Sequence, residues 1–279
     1  MLPSSAGIEL SLLAVIGKPV QYSLSPYLHH YCASLMGLRV LSFRCELEAN
    51  QLTNFVGWVR TTPGFVGFNV TMPYKSQIMG LLDGVDNTAK KLLAINTVVK
   101  MNGELKGYNT DWIALRQAVA SRGGGFDSAL ILGAGGAAAA AIYGLLNPEP
   151  LVGKVYVYGR SRDRLDSLKS TFPNILEYNG GREYGLLINA TPLPPGQVIT
   201  DPIKAQIIID FPYSYYSHET SNNYSRMGVT YVDGIELLAR QGVEAMKLFF
   251  GGHVDYTPVY HYIKRVHILN TTASGVWAE

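Results

Sequence analysis

The stretch Ala129-Leu-Ile-Leu-Gly133-Ala-Gly135-Gly-Ala-Ala138, continued by Ala139-Ala-Ala-Ile-Tyr-Gly-Leu-Leu146, settles the architecture. Its apolar start reads as a short strand, its glycines as a tight turn and its small-residue run as a helix. Gly133 permits the turn, Gly135 lets backbone approach a pyrophosphate, and the small Ala138 lets helix and strand pack closely. The bland alternative is a Gly/Ala-rich packing turn. Ala129 to Leu146 carries no charge over 18 residues, which by length borders on a membrane span. Three glycines inside it would break a continuous helix, so no span is expected.

Outward from this unit the grammar repeats. Strands are expected at Lys154–Tyr158, Leu186–Asn189, Ile207–Asp210 and Thr230–Val232, with helices or loops between them. Strands alternating with helices predict a doubly wound parallel sheet. The second strand runs into Gly159-Arg160-Ser161-Arg162-Asp163-Arg164, where an NAD site would usually place an acidic residue for the ribose 2′-hydroxyl. A basic loop suits a 2′-phosphate, so NADP is the expected cofactor; a solvated turn rich in arginine is the alternative.

Upstream, the first hundred residues read as an open α/β layer. Strands are expected at Leu12–Gly17, Val40–Glu46 and Phe65–Val70, and helices at Pro26–Gly37, Gln51–Arg60 and Ser76–Leu82. Asn96–Met101 and Glu104–Tyr108 form a hairpin turning at Asn102-Gly103. A helical pattern from Thr110 to about Arg122 leads into the glycine joint Gly123–Gly125, after which the strand-turn-helix grammar restarts. With that helix counted in the second unit, the division is 1–109 for substrate binding and catalysis, 110–232 for NADP, and 233–279 for C-terminal helices returning to the first domain. Those helices run to about Phe250 and from Thr257 to His267, and the tail from Asn270 is expected to fray.

Composition bounds the function. With 47% hydrophobic and 16% charged residues the chain is a soluble globular type. The net charge of +2 comes from 23 basic and 21 acidic residues without a basic stripe, which argues against nucleic acid as a partner. Cys32 and Cys45 have neither disulfide-framework nor zinc spacing, and the N-terminal residues lack signal-peptide features, so a reduced cytoplasmic chain is expected. The histidines fit no metal motif, and no GxSxG elbow is present, so no metal site and no serine hydrolase is expected.

The chemistry-bearing residues lie mostly in the first unit. In Gly67-Phe-Asn-Val-Thr71-Met-Pro-Tyr-Lys75 a lysine follows an apolar strand on a Pro-stiffened turn, a candidate acid-base group. Gly107-Tyr-Asn-Thr-Asp111 offers an amide, a hydroxyl and a carboxylate, and Asp111 paired with Lys75 would hold the ammonium protonated until needed. A surface lysine and a helix-capping aspartate are the alternative. Ser23 and Ser25 alternate around Leu24, so in an extended stretch both hydroxyls face one way and can hold a carboxylate. Ser25-Pro26 also suits a helix start, whose N-terminus favours an anion.

Taken together, Gly17-Lys-Pro-Val-Gln-Tyr-Ser23-Leu-Ser25-Pro26, Gly67 to Lys75, Ala94-Ile-Asn96-Thr97, Gly107 to Asp111, the glycine loop, Asn189-Ala-Thr191 and Asp233-Gly234 through Gln241-Gly242 resemble the shikimate dehydrogenase family in order and content. The resemblance implies NADPH-dependent reduction of 3-dehydroshikimate to shikimate, in aromatic amino acid biosynthesis, by a monomer or homodimer. It implies that Ser23 and Ser25 hold the substrate carboxylate, that Thr71, Asn96, Asp111, Tyr213 and Gln241 contact substrate, and that Lys75 is the acid-base residue. For the cofactor it implies Gly133, Ala134, Gly135, Gly136 and Ala137 at the pyrophosphate, Arg160, Ser161 and Arg164 at the adenosine phosphate, and Thr191, Phe211 and Gly234 nearby. Tyr22 stands where the family has histidine, Gly159 where it has asparagine, and the family's Pro-Thr after Tyr213 is absent. A quinate or related hydroxy-acid dehydrogenase, and a shikimate-binding sensor without turnover, are the competing readings.

Overall fold

The computed structural model describes residues 10–213 and 218–274. The N-terminal stretch read for a signal peptide, the residues 214–217 and the tail from Gly275 lie outside the described residues. Two compact units divide the chain: Met1–Thr110 with Gly242–His267, and Asp111–Gln241 with Ile268–Glu279.

In the first unit β1 (Ser11–Gly17), β2 (Val40–Glu46) and β3 (Phe65–Val70) run parallel, with β1 in the centre. A two-residue edge strand, β4 (Gly84–Val85), pairs with the far arm of a hairpin made by β5 (Thr97–Met101) and β6 (Glu104–Tyr108). The sheet order is β2-β1-β3-β5-β6-β4. The hairpin turns at Asn102 (φ 53°) and Gly103 (φ 83°), the left-handed pair that a two-residue connection requires. Its arms are antiparallel, so the start of β5 and the end of β6 lie at the carboxyl end of β3. Helices α1 (Ser25–Leu35), α2 (Leu52–Thr61) and α3 (Asn87–Leu92) complete this part, and Asp86 caps α3 by accepting the Thr88 and Ala89 amides.

β1 is buried along most of its length, as expected for a parallel strand covered on both faces. Ile16, Phe68, Val98 and Leu105 pack with Phe55 and Val59 of α2, each contributing roughly 2 kcal/mol by leaving water. Ser76–Leu82 is not the α-helix expected but a 3₁₀ stretch at Gln77–Leu81, where the Met79 and Leu82 amides close i→i+3 turns.

The second unit opens with α4 (Asp111–Ala120), followed by Gly123, Gly124 and Gly125, all at positive φ. Strands β7 (Phe126–Leu132), β8 (Val152–Tyr158), β9 (Leu176–Glu177), β10 (Glu183–Asn189), β11 (Lys204–Asp210) and β12 (Thr230–Val232) form one parallel sheet in the order β12-β11-β10-β7-β8-β9. This is the doubly wound order, with its reversal between β7 and β10. Helices α5 (Gly136–Leu146), α6 (Arg162–Thr171), α7 (Pro195–Val198) and α8 (His218–Arg226) connect the strands. Four strands begin two or three residues earlier than their apolar runs, because ladder pairing recruits polar positions such as Ser128 opposite Lys154.

After β12 come α9 (Gly234–Phe250) and α10 (Tyr256–Ser274). Of the tail expected to fray, Asn270–Ser274 continues α10 and the rest lies outside the described residues. The segment Gly242–His267 belongs to the first unit and packs there. The Tyr31 and Tyr262 rings stack at 4.2 Å, and a Cβ at Gly242 would strike Leu28 at 2.5 Å.

Candidate active site

In the first unit the motif residues gather at the carboxyl end of the parallel strands, the end where open α/β sheets bind ligands. Ser23 and Ser25 follow β1, Thr71 and Lys75 follow β3, Asn96 precedes β5, and Thr110 follows β6. The expected extended path at Ser23-Leu24-Ser25 is not formed. Leu24 takes a right-handed helical backbone (φ −85°, ψ −5°), and the Ser25 N–H donates to Ser23 Oγ at 3.3 Å. A local turn therefore brings these serines together at the start of α1, with Pro26 beside Ser25 in its first turn.

A buried amide network fixes the centre of this edge. Asn69 and Thr97 face each other across the ladder, and Asn69 Nδ2 donates to Thr97 Oγ1 and to the Asn96 carbonyl, both at 3.0 Å. Asn96 Oδ1 accepts from the Thr110 amide at 2.9 Å and Thr97 Oγ1 at 3.0 Å, while its Nδ2 donates to Thr110 Oγ1 at 2.9 Å. Asn109 Nδ2 donates to the Ala94 carbonyl at 2.8 Å. All of these side chains are buried, so each hydrogen bond replaces one lost to water and the cluster holds one geometry. The Ile95 amide donates to the Lys75 carbonyl at 2.8 Å, which fastens the lysine-bearing turn to the residue before Asn96.

Two glycines allow close packing around β3 and the turn that follows it. A Cβ at Gly67 would meet the Val98 carbonyl at 2.3 Å and the Phe249 ring at 2.5 Å, so only glycine lets α9 close over β3 there. A Cβ at Gly17 would likewise meet Thr71 Cγ2 at 2.3 Å and the Met72 carbonyl at 2.9 Å, so glycine there makes room for the turn that leads to Lys75. Behind the serines, His29 Nδ1 is 2.7 Å from Ser42 Oγ and its ring lies edge-on to Phe249. Burial pushes the His29 imidazole down to about 4, against an Asn69 hydrogen bond that opposes the shift, so the ring is neutral at ordinary pH.

In the second unit the expected cofactor residues also line one carboxyl edge: Gly133 to Ala137 after β7, Arg160, Ser161 and Arg164 after β8, Thr191 after β10, Phe211 after β11, and Gly234 after β12. Gly133 sits at φ 114° with its would-be Cβ 3.0 Å from the Ala190 carbonyl, whereas nothing stands within 4 Å of a Cβ at Gly135, which precedes α5. The turn is closed beneath and open above, which fits a dinucleotide pyrophosphate on the amides opening α5. Asn189 braces this edge: its Oδ1 accepts the Thr191 N–H and Oγ–H at 3.1 and 2.8 Å, and its Nδ2 donates to Asp210 Oδ1 at 3.0 Å. Asp210 Oδ2 in turn accepts from the Tyr231 hydroxyl at 2.7 Å.

The three arginines of the basic loop separate. Arg162 pairs with Glu177 at 2.8 Å and Asp166 at 3.3 Å, whereas among the described residues Arg160 and Arg164 form no ion pair. Gly159, the departure from the family's asparagine, has its would-be Cβ 2.9 Å from Ala134 Cβ, so a side chain there would press on the glycine loop. Gln241 lies in α9 with Nε2 donating to the Leu238 carbonyl at 3.0 Å. Tyr213 is partly buried, just before the undescribed segment. Sequence reading passed over the triad in which the buried Glu236 joins the partly buried Arg122 at 2.9 Å and the buried Arg240 at 2.9 Å; the i,i+4 spacing of Glu236 and Arg240 was its one available signal. Among the described residues no cluster of histidine, cysteine or carboxylate side chains suits a metal ion.

The family model for the shikimate dehydrogenase substrate binding domain matches residues 15–98. A shikimate dehydrogenase (NADP(+)) from Pyrobaculum islandicum is 33% identical over 251 residues, covering 88% of this chain and 94% of that protein. A shikimate dehydrogenase from Sulfurisphaera tokodaii is 31% identical over 261 residues, with 91% and 95% coverage. The chain belongs to the shikimate dehydrogenase family. Among solved structures, shikimate 5-dehydrogenase from Thermus thermophilus in complex with NADP(H) and shikimate superposes with a TM-score of 0.80 at 28% identity, covering 91% of this chain and 99% of that one. The family's α/β plan, with a Rossmann-type NADP unit, is the fold described above.

Proposed function

We propose that this chain is an NADP-dependent oxidoreductase that interconverts 3-dehydroshikimate and shikimate, with Lys75 as the acid-base residue. What carries the reading is the fastening of the Lys75 turn to the buried Asn69–Asn96–Thr97–Thr110 network. Such an anchor fixes the backbone from which the Lys75 side chain extends, and positioned proton transfer is worth about 10²–10⁴ in rate.

NADPH supplies the hydride that reduces the ketone. Lys75, as ammonium, delivers a proton to the oxygen that becomes the alcohol, and in the oxidative direction the neutral amine removes it. Asp111 accepts a hydrogen bond from a ring hydroxyl. Ser23 and Ser25 donate to the substrate carboxylate, and Thr71, Asn96, Tyr213 and Gln241 contact its ring substituents. Arg160, Ser161 and Arg164 bind the 2′-phosphate, the pyrophosphate lies on Gly133 to Ala137, and Thr191, Phe211 and Gly234 border the rest of the dinucleotide. The division of labour follows the 1–109, 110–232 and 233–279 segments, and the enzyme works in the cytoplasm as a monomer or homodimer.

The test is the growth of reduced-nicotinamide absorbance with shikimate or quinate, each offered with NADP or NAD. Rapid reduction of NADP by shikimate is expected. A preference for quinate would move the reading to the neighbouring hydroxy-acid dehydrogenases, and saturable shikimate binding without turnover by folded protein would make the chain a sensor.

A further inference from the structure

The loop that carries the paired serines is tied to β2 by two side chains. Glu46 Oε2 accepts the Val20 N–H at 3.0 Å, and Arg44 Nε donates to the Ser23 carbonyl at 2.8 Å. Residues two apart on a strand share a face, so one face of β2 holds the loop at both ends. The Arg44 guanidinium also lies 5.3 Å from the centroid of the Tyr27 ring, in the first turn of α1. It is thereby held on one side by the serine loop and on the other by the helix that Ser25 begins, a geometry suited to a planar guanidinium.

Among the described residues Arg44 forms no ion pair with a carboxylate. A carbonyl and an aromatic face orient the cation without cancelling its charge. The half-buried guanidinium therefore leaves a positive potential beside Ser23 and Ser25, and burial lets that potential reach further than it would in water. Ser23 Oγ already accepts the Ser25 amide, which leaves its own proton to donate outward, to an acceptor.

We propose that Arg44 is a positioning residue of the Ser23–Ser25 site, fixing the loop through the Ser23 carbonyl, and that its charge makes the site select an ionised carboxylate over its neutral ester. This rests on the reading that those serines hold the substrate carboxylate.

The experiment compares shikimate with its methyl ester, using wild type, Arg44→Gln and Arg44→Lys, with NADP saturating and the unfolding midpoint of each variant measured. Arg44→Gln should raise KM for shikimate about tenfold and KM for the ester about twofold or less, with kcat for both near wild type. Arg44→Lys keeps charge without the planar fork and should fall between. Should Arg44→Gln fail to fold, the same acid-to-ester ratio is read in Arg44→Lys and in wild type with rising salt, which should weaken shikimate more than the ester. Equal rises for acid and ester, or no rise for either, would overturn the proposal. Failure of the wild type to oxidise shikimate at all would instead overturn the reading of the site beneath it.

Discussion

The two units build the carboxyl edges of their sheets, where the proposed function places substrate and dinucleotide, from opposite materials. In the second unit the edge is backbone: Gly133 turns tightly, Gly135 stands open and α5 begins with free amides. In the first unit the edge is side chain: Asn69, Asn96, Thr97 and Thr110 are buried and locked to one another. The difference teaches how each site can fail. A backbone cradle fails when any side chain intrudes, whatever its chemistry, whereas a side-chain network fails when a donor or an ionisation state changes.

The largest effect should come from filling the cradle. In Gly133→Val a branched side chain at φ 114° would meet the Ala190 carbonyl, and binding of NADP should weaken by roughly a hundredfold while shikimate binding is retained. Calorimetric titration of each ligand separately checks this. Equal loss of both ligands would break the comparison.

The side-chain edge should instead respond to pH. His29 falls to about 4 in the folded protein from about 6.5 in an unfolded chain, so the fold favours its neutral form. Its contribution to stability is complete above pH 6.5, declines as the unfolded chain takes up the proton, and is exhausted below pH 4. Between pH 7 and 5 the wild type should lose about 2 kcal/mol that His29→Asn does not lose. Urea unfolding at the two pH values measures it, and parallel losses in both proteins would remove His29 from the account.

Smaller still, Arg160→Ala should raise KM for NADP about tenfold and leave KM for NAD nearly unchanged, since only the 2′-phosphate distinguishes them. The same variant with Arg162 altered should show little effect, because Arg162 is engaged by Glu177 and Asp166. Initial rates with each cofactor sharpen the contrast between a specific cation and a solvated one.

Much of this was legible in the sequence. β3 follows its apolar run to the residue because Pro63-Gly64 and the Met72-Pro73 turn bound it, and the glycine loop announced the doubly wound sheet that contains it. The early starts of β7, β8, β10 and β11 were not legible, because ladder partners rather than an unbroken apolar run recruit their first residues, polar or glycine among them. The path at Ser23-Leu24-Ser25 was misread as extended because alternation alone cannot distinguish a strand from a turn leading into a helix. Arg44 and the Arg122–Glu236 contact were invisible for another reason: the latter joins positions 114 residues apart, a separation on which no periodicity reports.

In the proposed reaction Lys75 moves the proton and does little of the binding. Its most direct test is kcat for shikimate oxidation in Lys75→Ala, set beside the shikimate dissociation constant of the same protein. The kcat should fall at least a hundredfold, with a dissociation constant within about threefold of wild type. An unchanged kcat would contradict that role.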